Sequence, residues 1–312
     1  MTESASIRHT LRRATFRGLL GGGALYFIGN AMQVMATAWL MIELTGSAVL
    51  TALVQTAVFL PMFLLSLPAG VLADVTDRAR LLQIALAVQS VTIALLTVLL
   101  LLDAAGAGVL LFFTFVAGCC TAMLSPAWNT TVADSVGRDE LPQAITVVSM
   151  AYNGARALGP TAAGLVFAYA GSDWVFAIAI ATTLAMWQSV RRHPPKPHPP
   201  SRLPAERLWG GTLAALRFAR HSHLILAQLL RTMAYGAAGS ALWALLPVIA
   251  QQRLGLGAAG FGALIGCLGV GAVAAGFVVG RARHRFGLEA VVALGCVLFA
   301  AAMAVAAWSP WP

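Results

Sequence analysis

Uncharged apolar runs alternate with short charged islands along almost the whole chain. Residues 47–69 carry no charge and neither do residues 81–102; between them sits a compact island holding Asp74, Asp77, Arg78 and Arg80. A helix needs about 20 apolar residues to cross a bilayer, so each run predicts a span and the island predicts a tight hairpin at a membrane surface. Carried along the chain, the pattern predicts nine spans, at 19–43, 48–73, 81–102, 108–132, 141–169, 174–190, 223–250, 258–280 and 290–308. The first run is too long for the apolar core of a cleaved signal peptide and reads as a retained span. Connections are short except 191–222, a hydrophilic linker with six prolines and a cluster of Arg and His, in which a surface helix is expected around 205–220. The expected organisation is an N-terminal segment 1–18, a six-helix transmembrane domain 19–190, the linker 191–222 and a partial three-helix domain 223–312.

Composition supports the same class. The chain is 59% hydrophobic and 10% charged, with a mean hydropathy of +0.82, whereas a soluble domain carries about 25% charge. An all-α polytopic membrane protein is the fold class expected. A net charge of +9 could suit nucleic acid, but the cations sit in short loops with no basic domain to hold them, so no nucleic-acid partner is expected. Their placement instead orients the chain. With the N-terminus cytoplasmic, the inner segments hold 17 of the 20 basic residues, the outer loops hold Arg253 alone, and Arg156 and Arg231 fall within spans. The linker is then cytoplasmic and the C-terminus outside. No enzyme constellation emerges: Cys119, Cys120, Cys267 and Cys296 lie in apolar runs without metal spacing, and no Gly-rich phosphate loop with a lysine is present. No metal or cofactor is expected.

The island at 70–80 reads Gly70-Val71-Leu72-Ala73-Asp74, then Arg78-Ala79-Arg80. Gly70 is expected to allow close helix approach, and Asp74 to stabilise a helix N-terminus or pair with an arginine. This pattern between two spans resembles the loop between helices 2 and 3 of the major facilitator superfamily of transporters. A degenerate second copy, Arg281-Ala282-Arg283-His284-Arg285, follows Gly280 at a matching distance from the start of its own half. Two parallel halves joined by a cytoplasmic linker are the architecture this resemblance implies. Leu44-Thr45-Gly46-Ser47, Ser125-Pro126-Ala127, Leu141-Pro142-Gln143-Ala144, Asn153 to Gly164 and Ala241 to Pro247 narrow it to the macrolide-efflux and enterobactin-exporter (transmembrane secretion effector) group. The family has twelve helices. This chain shows about nine, six plus three, which reads as a C-terminally truncated second half.

Ionisable and amide groups within spans default to a functional reading. At 1.5 Å per residue, Asn30, Arg156 and Arg231 lie about 16, 20 and 12 Å from the inner ends of their spans, in the middle zone of the bilayer. Each shares a helix face with polar companions: Tyr26, Gln33 and Thr37; Ser149, Tyr152 and Asn153; Gln228, Thr232 and Tyr235. Asn30, Gln33, Asn153, Arg156, Arg231 and Tyr235 are therefore the candidate cavity residues. The blander alternative is interhelical hydrogen bonding, resatisfaction of the carbonyl that Pro160 frees, or snorkelling of Arg231. No Asp or Glu lies at mid-depth to neutralise the two arginines, and the coupling ion, with the proton as one candidate, stays unassigned. The resemblance implies that Gly70, Asp74, Arg78 and Arg80 form a gate, and Gly159-Pro160 predicts a kink and close packing in the fifth span. The expected function is export of a small amphipathic molecule, drug- or siderophore-like, across a bacterial cytoplasmic membrane by alternating access. The partners are then a small-molecule substrate and the lipid bilayer. A non-transporting truncated remnant or an assembly partner is the alternative.

Overall fold

In a hydrocarbon solvent every backbone N–H and C=O must find its partner within the protein, and a helix does this within one segment. The computed structural model describes residues 7–194, 217–218 and 220–308. A short helix α1 (Ile7–Arg12) precedes α2 (Ala14–Thr45), α3 (Ala48–Val75), α4 (Arg78–Leu101) and α5 (Ala107–Asp134). A single 3-10 turn (Arg138–Glu140) leads into α6 (Leu141–Ala170) and α7 (Ser172–Arg192). Beyond the linker come α8 (His223–Val248), a π-helical turn (Ile249–Arg253), α9 (Ala258–Phe286) and α10 (Leu288–Trp308). Each predicted span coincides with one of the helices α2 to α10. By length and composition six of the described helices, α2, α3, α4, α5, α7 and α8, can cross a membrane; α9 and α10 hold shorter apolar stretches, Ala258–Ala272 and Glu289–Val305, and α6 is not among the six. The surface helix expected at 205–220 lies almost wholly outside the described residues.

The helix ends carry the local chemistry that sets their limits. Gly46, at φ 60°, ends α2 in the left-handed conformation that lacks a Cβ penalty. Ser47 then caps α3 by accepting from the Leu50 N–H. Asp77 caps α4 by accepting from the N–H groups of Ala79 and Arg80. The cap of the 70–80 hairpin is thus Asp77, while Asp74 lies in the last turn of α3 and its side chain is outside the described residues. Gly70 does not mediate close approach here: a Cβ at that position would meet open space.

The packing falls into two regions that belong to opposite ends of the molecule. One end, the arginine end, gathers the hairpin at Asp77, the 3-10 turn and the start of α8. There a buried cluster of Phe16, Leu19, Leu82, Leu86, Trp128, Met186 and Val190 draws only on α2 to α7. At the opposite end, Met41, Ile42, Val54, Phe176 and Ala179 are buried together with Leu246, Ala250, Ala258, Phe261 and Ile265 from beyond the linker. The six-helix half and α8–α9 therefore join at that end.

The join depends on small residues. The contact between α6 and α9 is the most extensive between any two elements. A Cβ on Gly262 would fall 2.5 Å from the Pro160 carbonyl oxygen and 3.0 Å from the Cα of Gly164, so the two backbones touch. Thr161 Oγ1 crosses the seam to donate to the Gly262 carbonyl at 3.2 Å. A Cβ on Gly269 would fall 2.2 Å from the Cα of Ala157, whereas one on Gly271 would meet open space. Val270 and Val278 are 65% and 64% exposed, as are Ile145 and Met150 of α6, at 55% and 64%. The two helices are close-packed toward one end and splayed toward the arginine end. Gly159 fits α6 against α2 in the same way, its hypothetical Cβ falling 2.8 Å from that of Ala31.

Gly262→Leu should force α6 and α9 apart and cost about 1–3 kcal/mol, as overpacking of a tight contact does. The expected readout is a lowered melting temperature in detergent, with Gly271→Leu, where a Cβ meets open space, as the unaffected control.

Candidate functional site

Splaying two helical units around one closed end leaves a cavity between them. It measures about 640 Å³ and is bounded by α2, α3, α5, α6, α7, α8 and α9. The polar stripe of α2 enters it through Tyr26, Asn30, Gln33 and Thr37, and that of α6 through Ser149, Tyr152, Asn153 and Arg156. Four of the six expected cavity residues, Asn30, Gln33, Asn153 and Arg156, therefore stand on one wall system. The packing that explains this is local: Gly159, Ala163 and Gly164 hold other faces of α6 against α2 and α9 and leave the polar side facing inward.

Arg231 and Tyr235 stand elsewhere. Arg231 Nη1 donates to Glu289 Oε1 at 3.2 Å, and the Tyr235 ring lies against Phe299 at a centroid distance of 5.5 Å. The expectation that both arginines lack a neutralising acid is corrected for Arg231. Helix α10 begins at Leu288, two residues before the predicted span, so Glu289 falls in its first turn and reaches Arg231 on α8.

Arg156 is different. The cavity wall carries this single cation and, among the described residues, no carboxylate. The guanidinium lies over the Tyr152 ring at 5.9 Å and over the Trp243 ring of α8 at 5.5 Å, and it has no ion pair or hydrogen bond to any described residue. Tyr152 in turn meets Phe27 edge-on at 5.3 Å, and Phe27 meets Trp128 edge-on at 6.2 Å. An aromatic wall thus runs from α5 through α2 and α6 to the guanidinium and across to α8. Deeper in, the Tyr26 hydroxyl donates to Gln89 Oε1 at 3.1 Å and lies 3.4 Å from Thr121 Oγ1.

Two groups of cavity residues escaped the sequence reading. Thr114, Thr121, Ser125 and Asn129 line the cavity from α5. Their spacing of seven and then four residues marks one helix face, a signal present in the sequence but lost among the hydroxyls common to apolar helices. The aromatic wall carried no such signal, since Phe27, Trp128 and Trp243 are indistinguishable from core or lipid-facing rings until the helices are placed.

Besides Arg231 and Glu289, two further ion-pair sites are described at the arginine end. Arg78 Nη1 pairs with Asp134 Oδ2 at the end of α5 at 3.0 Å, and its Nε donates to the Ala73 carbonyl at 3.2 Å. Of the other expected gate residues, Arg80 is exposed, and the Asp74 side chain lies outside the described residues. The second site is new. Glu140 is 4% exposed, accepts from the Gly137 N–H at 3.2 Å, meets His9 Nδ1 at 2.6 Å and pairs with Arg13. Burial alone would raise its pKa, but the Gly137 N–H, His9 and Arg13 outweigh it and hold the carboxyl below its usual range.

A helical membrane protein with two units splayed around a polar central cavity has the fold of the major facilitator superfamily of transporters. It matches a bacterial homolog of the human lysosomal transporter Spinster, solved in an inward-facing and unoccupied conformation, with a TM-score of 0.63 at 16% identity over 87% of this chain and 63% of that one. The occupied form of that homolog matches with a TM-score of 0.57 at 15% identity, over 88% of this chain and 62% of that one. The chain belongs to the transmembrane secretion effector family, whose model matches residues 5–311. It is 28% identical over 145 residues to the staphyloferrin A transporter of Staphylococcus aureus, covering 46% of this chain and 36% of that protein. It is 27% identical over 214 residues to the multidrug efflux pump Tap of Mycolicibacterium fortuitum, covering 66% of this chain and 51% of that protein. The chain thus spans about half the length, or less, of these curated relatives. Family and fold are those of transporters, not of enzymes.

Because the Glu140 pKa is lowered by folding, its contribution is present at neutral pH and is lost as pH falls through that lowered value. Glu140→Gln should therefore release α1 at neutral pH, seen as faster hydrogen exchange over residues 7–12 after correction for intrinsic rates. The unsubstituted protein should reach the same exchange only below the usual carboxylate range.

Proposed function

We propose that the chain exports a small amphipathic molecule with anionic or acceptor-rich groups, by alternating access of the two units to the central cavity. The observation that carries this reading is Arg156, a guanidinium on the wall of a 640 Å³ cavity with no described carboxylate partner. A cation at membrane depth is costly unless something compensates it, and a cargo anion is the partner that the cavity leaves room for. The aromatic wall beside it suits the apolar body of such a molecule. Efflux-type relatives, one of them named as a transporter of staphyloferrin A, point the same way.

The arginine end faces the cytoplasm in this reading, because 17 of the 20 basic residues lie on that side. The protein then resides in the bacterial cytoplasmic membrane with its N-terminus inside, and the splayed arrangement opens the cavity inward. The coupling ion is a proton or another ion carried at a site other than the cavity wall, which holds no described acid.

Uptake into inside-out vesicles tests the cargo and the direction together. Arg156→Gln should reduce uptake of an anionic substrate about tenfold or more, the loss expected for a charge-assisted contact, and leave a cationic substrate nearly unchanged. Selective loss of the cationic substrate would reverse the assignment.

The hairpin of Gly70, Asp74, Arg78 and Arg80 is proposed as the cytoplasmic gate, with Arg78 anchored to Asp134. Asp74→Asn should slow export while membrane insertion and expression persist; full transport by a well-expressed variant would refute the role.

A further inference from the structure

The guanidinium of Arg156 is bracketed by rings from both units. Tyr152, four residues earlier on α6, supplies one ring, and Trp243 on α8 supplies the other. Tyr152 is itself held edge-on by Phe27, and Phe27 by the buried Trp128, so the first ring is fixed to the six-helix unit. Trp243 is half-buried, packs beside the cluster that joins the units, and belongs to the other side of the cavity. A planar guanidinium uses its faces for aromatic rings and its edge for hydrogen bonds. With rings nearby and no described acceptor at its N–H groups, the Arg156 edge is left for a ligand.

We propose that Trp243 is a positioning residue for the cargo anion: from the second unit it holds the Arg156 guanidinium with its edge toward the cavity, ready for a planar two-oxygen acceptor such as a carboxylate. This rests on the reading of Arg156 as the cargo's anion partner and adds two things to it. The preferred group is a flat bidentate anion, since the fork of N–H donors matches two coplanar oxygens. Anion affinity is also tied to the position of the units, because any movement that carries α8 away from α6 takes Trp243 off the guanidinium and frees it to turn. Loading and release of the anion then follow from the same movement that exposes the cavity to one side or the other.

The test compares two probes of one shape, naphthoate and naphthamide, titrated calorimetrically into the full chain in lipid nanodiscs. The quantity read is the ratio of their affinities, which a general loss of packing leaves unchanged because both probes suffer equally. The unsubstituted protein should prefer naphthoate by about tenfold or more, from a charge-assisted bidentate contact. Trp243→Leu should cut that preference about threefold to tenfold, in line with the loss of a desolvated cation–π contact, with naphthamide affinity retained. Trp243→Phe, which keeps a weaker ring face, should lie between the two. If the Leu variant fails to fold, the Phe variant alone decides, since an unchanged ratio overturns the proposal. If Arg156→Gln abolishes the preference and both Trp243 variants keep it, Trp243 has no positioning role and the cargo reading survives. If the unsubstituted protein shows no preference, or Arg156→Gln leaves it intact, the cargo reading falls and this inference falls with it.

Discussion

Backbone contact between α6 and α9 governs the rest of the arrangement. Gly164 and Gly262 let the two helices meet with no side chain between them, and Thr161 ties the seam with a hydrogen bond to the Gly262 carbonyl. Among the described glycines of α9, Gly262, Gly266 and Gly269 meet α6, while Gly271 faces open space. Further along, Val270 and Val278 of α9 and Ile145 and Met150 of α6 are exposed. The cavity, its opening toward the arginine end and the exposure of Arg156 all follow from a seam that is tight at one end and absent at the other.

The energetics of the two ends differ in kind. At the closed end the units are joined mainly by dispersion and apolar burial, with Trp39 stacked on Phe261 at 5.5 Å, and by hydrogen bonds from Thr161 to the Gly262 carbonyl and from Gln252 to the Gly46 carbonyl. At the arginine end the six-helix unit has its own apolar cluster, and the ion pairs each lie within one unit: Arg78 with Asp134 and Glu140 with His9 and Arg13 in the first, Arg231 with Glu289 in the second. Ion pairs of this kind keep hairpins and the N-terminal helix in place without gluing one unit to the other. That division leaves one end able to part while the six-helix unit keeps its shape.

Much of this was legible in the sequence, and the reason is the solvent. Hydrocarbon forces helices and forces their length, so the ends of α3, α6 and α10 fell within two residues of their predicted positions. Polar stripes on α2 and α6 were equally readable, because an amide or guanidinium in such a helix stands out against its neighbours. What stayed hidden depended on packing between helices. Arg231 looked like the equal of Arg156 in depth and company, yet its partner sits 58 residues away on a helix that starts slightly earlier than its hydropathy suggests. Glu140 is a loop acid in sequence, and only the fold brings His9 and Arg13 to it. Gly70 belongs to a pattern that implies close packing, but no neighbour comes near it in this arrangement.

The apolar layer above the cavity has an electrical meaning. Trp39 and Phe261 are 3% and 2% exposed, and Met41, Ile42, Leu246 and Ala250 are buried in the same apolar cluster. Thr37 lines the cavity, and the apolar cluster lies beyond it. In the proposed orientation much of the membrane voltage would fall across this apolar layer, so that a cavity open to one side would not amount to a leak. A transporter that opened its cavity to one side in this way would depend on that dielectric plug as firmly as on any residue that touched its cargo.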